Sequence, residues 1–298
     1  MAVLVLGAVV GAALTAPTVH ALVEEWLPAV RWPFARVFDR LAVLLAVLLI
    51  IVLRRRLGLG RLAAAWRSEG WQGWLRRVPA GFVAAGAPAL AVLPCVVAHT
   101  PVGWAGRTWQ VALGVLVSSV PGALLVSALE ESFFRVTVFR GLARRWPVAA
   151  AIAGSSLLYG LVHFIAPDRS FVAASASPLE GLRYLGVVLG RLLTAPTLVA
   201  VGGLSLMGAA LCLVLWRTGS LALCVGMHAG WFTATKVAIY LSTLEPGAPA
   251  AGSLGKRLLL LGSPWVWLAV ALTTALVLGF RPSGRRVPGP SITRTGAA

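Results

Sequence analysis

The stretch "VALGVLVSSVPGALLVSALEESFFRVTVFRGL", residues 111–142, decides the fold. As a helix it is long enough to cross a hydrocarbon core about 30 Å thick. Yet Glu130 and Glu131 stand side by side within it, five and four residues before Arg135. Comparable apolar stretches occur at 1–19, 38–53, 79–98, 148–166, 184–216, 219–241 and 258–280. In hydrocarbon a backbone must satisfy its own hydrogen bonds, which a helix does within one segment. The expectation is therefore an all-α, polytopic transmembrane bundle with about eight membrane-spanning helices. Composition agrees: of 298 residues, 59% are hydrophobic and 12% charged, against about 25% charged in a soluble domain.

The net charge of +17 does not make a nucleic-acid binder, because the basic residues are mostly arginines at the ends of apolar segments rather than in one soluble basic domain. They read as topology signals. Assigning alternate loops to alternate sides gathers Arg54–Arg77, Arg135–Arg145, Arg217 and the tail after Arg281 on one side, with fewer cations opposite. The positive-inside rule makes that side cytoplasmic, with both termini there. An Arg- and Ala-rich chain of this kind fits an integral protein of a bacterial inner membrane. The first apolar run has no basic residue before it and is read as a helix rather than a cleaved leader. Residues 1–109 form N-terminal helices and a basic loop, 110–241 a core with the chemistry, 242–282 a last helix, and 283–298 a disordered basic tail. Cys95, Cys212 and Cys224 each sit in apolar sequence without metal-ligand spacing and read as packing residues. "GVVLG", Gly186–Gly190, is a small-xxx-small pattern that permits close helix approach.

An ionisable residue in a span costs about 2.5–3.5 kcal/mol on insertion scales, so each calls for a reason. Glu131 precedes Arg135 by one helical turn, the favourable order for an intrahelical ion pair. The turn neighbours of Glu130 are Val126, Ser127, Phe133 and Phe134, none a cation. A carboxylate in such surroundings suits a general base. Counted from the Trp146–Pro147 bond in the turn "RRWP", Glu130 and His163 are equally distant. In an antiparallel hairpin that places them at one depth. His228, in "GSLALCVGMHAGWF", is on a third helix. Any one His in an apolar helix is more often a packing residue, but a Glu and two His from three helices make a site for activating water, directly or through a metal. His20 and His99 lie near span ends and are given no role. Lys236 is the remaining cation inside a span.

These residues resemble the CPBP intramembrane proteases, which include the CAAX prenyl endopeptidases and bacteriocin-processing relatives. Three motifs in residues 110–240 carry the likeness: "EESFFR" from Glu130 to Arg135, followed by "FRGL"; an aromatic-xxx-His pattern with Tyr159 and His163, where the family commonly has Phe; and "WRTGSLALCVGMHAGWF", with His228. The chain departs from the family at position 232, where Phe stands in place of the usual Asn of HxxxN. In the family that Asn is thought to help His polarise the scissile carbonyl, so its loss implies reduced activity. Thr233, one residue along, is a partial substitute at most.

The resemblance implies an endopeptidase that hydrolyses a peptide bond in a membrane-associated peptide or protein substrate. Glu130 would activate water, His163 position it and His228 stabilise the oxyanion; Glu131, Arg135 and Tyr159 would support them. The family has also been read as a zinc enzyme, and Glu130, His163 and His228 would then be the ligands around an open fourth position. No cofactor is assigned, since the chain has no HExxH and a Glu130 ligand would leave only Glu131 as a nearby base. The lipid bilayer and the substrate are the expected partners, with no nucleic acid. Two other readings stay open at this point: a proton-coupled transporter, which would also bury Glu, His and Lys, and a non-catalytic immunity or partner protein of the same fold.

Overall fold

A computed structural model describes residues 2–29, 32–52, 60–164, 170–246 and 252–279. The expected tail at 283–298 lies outside the described residues. Contacts divide the chain into two compact units, one formed by residues 1–59 and 161–198, the other by 60–160 and 199–298.

In the first unit, α1 (Ala2–Trp26) packs against α2 (Phe34–Val52) and α9 (Pro178–Leu192). The face of α1 that meets them is made of alanines, with Ala12, Ala13 and Ala16 fully buried. A Cβ at Gly181 of α9 would run into the backbone of Ala13, so these two helices touch main chain to main chain. Phe34, Phe38, Phe171 and Tyr184 fill the remaining space, with ring centroids 4.8–5.1 Å apart. The Ser177 hydroxyl accepts from Leu179 N at 3.3 Å and Pro178 opens the helix, a start that uses the residues helix N-termini prefer. The close approach expected at Gly186–Gly190 is not seen: among the described residues nothing lies within 4 Å of a Cβ at either glycine. Gly181 makes it instead.

The second unit holds α3 (Gly60–Arg67), α4 (Gly70–Ala91), α5 (Leu93–His99), α6 (Trp109–Glu131), a π-helix (Ser132–Phe139) closed by α7 (Arg140–Leu142), α8 (Val148–Val162), α10 (Ala195–Thr218), α11 (Leu221–Leu241), α12 (Gly252–Gly262) and α13 (Pro264–Gly279). The last residues of α8 and the first of α10 fall in the first unit. Two short strands, β1 (Val102–Trp104) and β2 (Ser242–Leu244), pair antiparallel with Gly103 opposite Thr243.

The centre of this unit is α11. It is buried along most of its length, including Gly226, Met227, His228, Ala229 and Gly230 in sequence. Its principal neighbour is α4. A Cβ at Gly81 would sit 2.6 Å from Leu223 O, and Cβ atoms at Gly226 and Gly230 would strike the carbonyls of Val78 and Phe82. "GMHAG" is therefore the small-xxx-small pair that this unit uses, and it brackets His228. Charges of the right sign meet both ends of α11. Glu69 reaches its N-terminus, and the Lys256 ammonium donates to the carbonyls of Ser242 and Ile239 at its C-terminus.

Among the described residues, four helices are long and apolar enough to cross a membrane: Leu6–Trp26, Gly70–His99, Trp109–Leu142 and Ala195–Thr218. A fifth would be the pair Leu254–Gly262 and Pro264–Gly279, bent by 58°. The other three expected crossings are α2, which carries Arg36, Asp39 and Arg40; α8, with 15 residues; and α11, whose His228 and Lys236 lower its mean hydropathy. The expected span 184–216 is instead parts of two helices, separated at Leu193–Thr194.

Candidate active site

The two acids close α6, and the chain then changes helix type. The N–H of Arg140 bonds to Arg135 O, and the Thr137 hydroxyl donates to Ser132 O at 3.3 Å, each spanning five residues. An eight-residue π-helix is rare, and such segments concentrate at functional sites. This one carries Arg135 and starts directly after Glu131.

Glu131 and Arg135 are both fully buried, with Glu131 Oε2 2.9 Å from Arg135 Nε. The N–H does not point squarely at the oxygen, so the attraction is coulombic more than a directed hydrogen bond. The expected ion pair is therefore present. The guanidinium also lies 5.1 Å from the centroid of the Tyr159 ring, and its Nη1 is 3.7 Å from Cys212 Sγ.

Glu131 does more than pair with Arg135. Its Oε1 lies 3.0 Å from His228 Nδ1. A carboxylate held by a guanidinium accepts hydrogen bonds, so the Nδ1–H donates to Glu131. The other ring nitrogen is Nε2. Two groups face that nitrogen: Tyr159 Oη at 3.3 Å and Glu130 Oε2 at 3.8 Å. Glu130 is the accessible member of the acid pair, its side chain 28% exposed, whereas His228 is 7% exposed. The Tyr159 ring is buried and packs edge-on against Phe134 at 5.1 Å.

Of the six residues singled out from sequence, Glu130, Glu131, Arg135, Tyr159 and His228 thus meet in the second unit. His163 belongs to the first unit, just past the end of α8. Phe232 is partly exposed on α11, with the Lys236 ammonium 5.5 Å from its ring centroid, and Lys236 itself is exposed. Among the described residues no group of three or more His, Cys, Asp or Glu side chains is arranged to hold a metal ion. In the cluster that does form, both nitrogens of His228 already face protein groups. The chemistry below uses side chains alone.

Supports that the sequence reading missed enter from the corner between α3 and α4, where Gly70 takes a positive φ of 62°. Glu69, 4% exposed at this corner, accepts from Ser220 Oγ at 2.6 Å and from Ala222 N at 2.9 Å, which fastens the start of the His228 helix. The Trp66 indole donates to Ser132 Oγ at 2.9 Å, beside Glu131, and stacks on Trp74 at 4.4 Å. Both acid- and His-bearing helices are therefore tied to one corner. Glu69 had a weak signal in the sequence, as a lone acid in an Arg-rich loop.

Residues 108–234 match the family model described as Rce1-like, type II CAAX prenyl endopeptidase. No curated protein and no solved structure matches the chain. The matched segment contains all six site residues and ends two positions after Phe232. Helices apolar enough to span a membrane and a match to a membrane-protease family together make this a membrane protein. Over residues 108–234 the chain is thus similar to the Rce1-like type II CAAX prenyl endopeptidases, in agreement with the resemblance its three motifs carry.

Proposed function

We propose that the protein is an intramembrane endopeptidase that hydrolyses a peptide bond in a membrane-associated peptide or protein by means of water activated by Glu130. The observation that supports this most is the convergence of Glu130 Oε2 and Tyr159 Oη on His228 Nε2, with Glu131 fixing the far side of the ring, inside the family-matched segment. In the reaction Glu130 takes a proton from water as its oxygen bonds to the scissile carbonyl carbon. The same proton passes to the leaving nitrogen as the C–N bond breaks, which leaves a carboxylic acid and an amine. The Glu131–Arg135 pair holds His228 against this centre, and His163, by the family resemblance, shares or positions the water.

The catalytic core is 110–241, and α2, α8 and α11 complete the eight crossings. His228 lies eight residues past Ser220, about 12 Å along the helix. That puts the site nearer the Arg-rich end, which the positive-inside rule makes the cytoplasmic end in a bacterial inner membrane.

The test is to reconstitute the purified protein in liposomes, supply membrane-anchored peptides and search for cleavage products by mass spectrometry. New termini that appear with wild type and not with Glu130→Gln support the proposal. Proton-linked flux without products would favour the transporter, and full biological activity of Glu130→Gln would favour a non-catalytic partner.

A further inference from the structure

We infer that Glu69 is a positioning residue of this site, which acts through the start of α11 to set the height of His228 against Glu130. The inference rests on the peptidase reading and adds to it a residue outside the family-matched segment 108–234.

Glu69 stands immediately before α4, a place from which a side chain ordinarily caps its own helix. It makes no such bond. Its carboxylate turns instead to the neighbouring helix, where Oε2 accepts from Ser220 Oγ at 2.6 Å and Oε1 from Ala222 N at 2.9 Å. Ser220 is itself the cap of α11, its Oγ accepting from Leu223 N at 3.1 Å. The Arg77 guanidinium, on α4, donates to Glu69 Oε2 at 2.8 Å and steadies the carboxylate from that side. One residue of the α3–α4 corner thus closes the N-terminus of a different helix.

The glycine contact between α4 and α11 does not fix their register by itself. The carbonyls of Val78 and Phe82 face Gly226 and Gly230, so the contact repeats every four residues on both helices. A slide by one turn would keep a glycine against a carbonyl and move His228 by about 6 Å along the axis. The Glu69 bonds admit one register only. From Leu221 to Leu241 the helix is continuous, so an anchor at its start is felt at the imidazole, 3.8 Å from Glu130 Oε2. The acid-bearing helix is referred to the same corner by the Trp66 indole. That ring donates to Ser132 Oγ at 2.9 Å and lies flat on Trp74, whose own Nε1 donates to Trp66 O at 3.0 Å. The corner therefore sets the height of both catalytic elements.

The experiment compares wild type, Glu69→Ala, Glu69→Gln, Ser220→Ala and Trp66→Phe in cleavage of a membrane-anchored peptide in liposomes, each well below its own Tm. A role in stability alone would move Tm and leave the kcat of the folded enzyme unchanged. A misplacement of about 1 Å can cost on the order of 100-fold in rate. Glu69→Ala should therefore lose about tenfold or more in kcat with KM within about threefold, because the lost geometry is that of the transition state. Gln keeps an oxygen for Ala222 N and an amide for Ser220 Oγ, so Glu69→Gln should stay within about threefold of wild type in kcat. Ser220→Ala removes one of the two ties and should fall between wild type and Glu69→Ala. Trp66→Phe keeps the stack on Trp74, loses the N–H to Ser132 and should lower kcat with KM unchanged. Three results would overturn the inference and leave the peptidase reading intact: Glu69→Ala within about threefold of wild type in kcat, Glu69→Gln as slow as Glu69→Ala, or Ser220→Ala and Trp66→Phe both at the wild-type rate. A wild type that cuts nothing would overturn both.

Discussion

Replacing Glu131 with Gln keeps the shape of the side chain and removes one charge from a pair in which both members are fully buried. Arg135 then stays charged with no anion against it. Its other contacts, Cys212 Sγ at 3.7 Å and the Tyr159 ring at 5.1 Å, are present before and after the change and offset nothing. Breaking a buried pair by removing one partner costs about 3–5 kcal/mol. For a folded unit of 150–250 residues each kcal/mol lowers Tm by roughly 2–4 °C, which gives a drop of about 6–20 °C. The twelve tryptophans make intrinsic fluorescence in detergent or nanodiscs a sufficient assay. A second variant separates charge from shape. Glu131→Gln combined with Arg135→Met removes the stranded cation, and with it the cost of an uncompensated buried charge. The double variant should therefore recover most of the lost Tm but no cleavage, because His228 still lacks its anionic support. A single variant within 2 °C of wild type, or a double variant no more stable than the single one, would refute the assignment of Glu131 and Arg135 as a buried ion pair.

Glu69→Ala should lower stability by about 1.5–3 kcal/mol, the worth of charge-assisted hydrogen bonds to Ser220 and Ala222, read as a shift in Tm. Arg77→Ala should do far less, because that partner is 45% exposed. Gly226→Val forces a branched side chain against the carbonyl of Val78 where two backbones touch; overpacking of this kind costs roughly 1–3 kcal/mol or more, so the yield of folded protein by size-exclusion chromatography should fall sharply. The same change at Gly190, where a Cβ meets nothing within 4 Å, should leave that yield unchanged.

Much of the candidate site was legible because the bilayer makes ionisable residues expensive. A carboxylate or imidazole in an apolar run stands out against its neighbours, and Glu131 to Arg135 is one helical turn. The reading stopped short at features that depend on a partner distant in sequence. Glu131 looked complete with Arg135, yet its second oxygen serves His228 on another helix. Two glycine pairs share one spacing, at 186 and 190 and at 226 and 230, and only the structure shows which has a backbone opposite it. The π-helix leaves no mark in a hydrophobic pattern, since adding one residue to each hydrogen-bonded loop changes no residue type. The number of crossings was harder to read for the opposite reason. Hydropathy averages over a helix, so the same polar residues that single out α11, His228 and Lys236, also lower its mean hydropathy.

Initial rates of cleavage of a membrane-anchored peptide by wild type and Glu130→Gln, each with and without a zinc chelator, test the central claim most directly. The account predicts cleavage by wild type that is indifferent to the chelator and at least 1000-fold slower in Glu130→Gln, with Tm unchanged because that carboxylate is the accessible one of the pair. Cleavage that survives Glu130→Gln at the wild-type rate would contradict it.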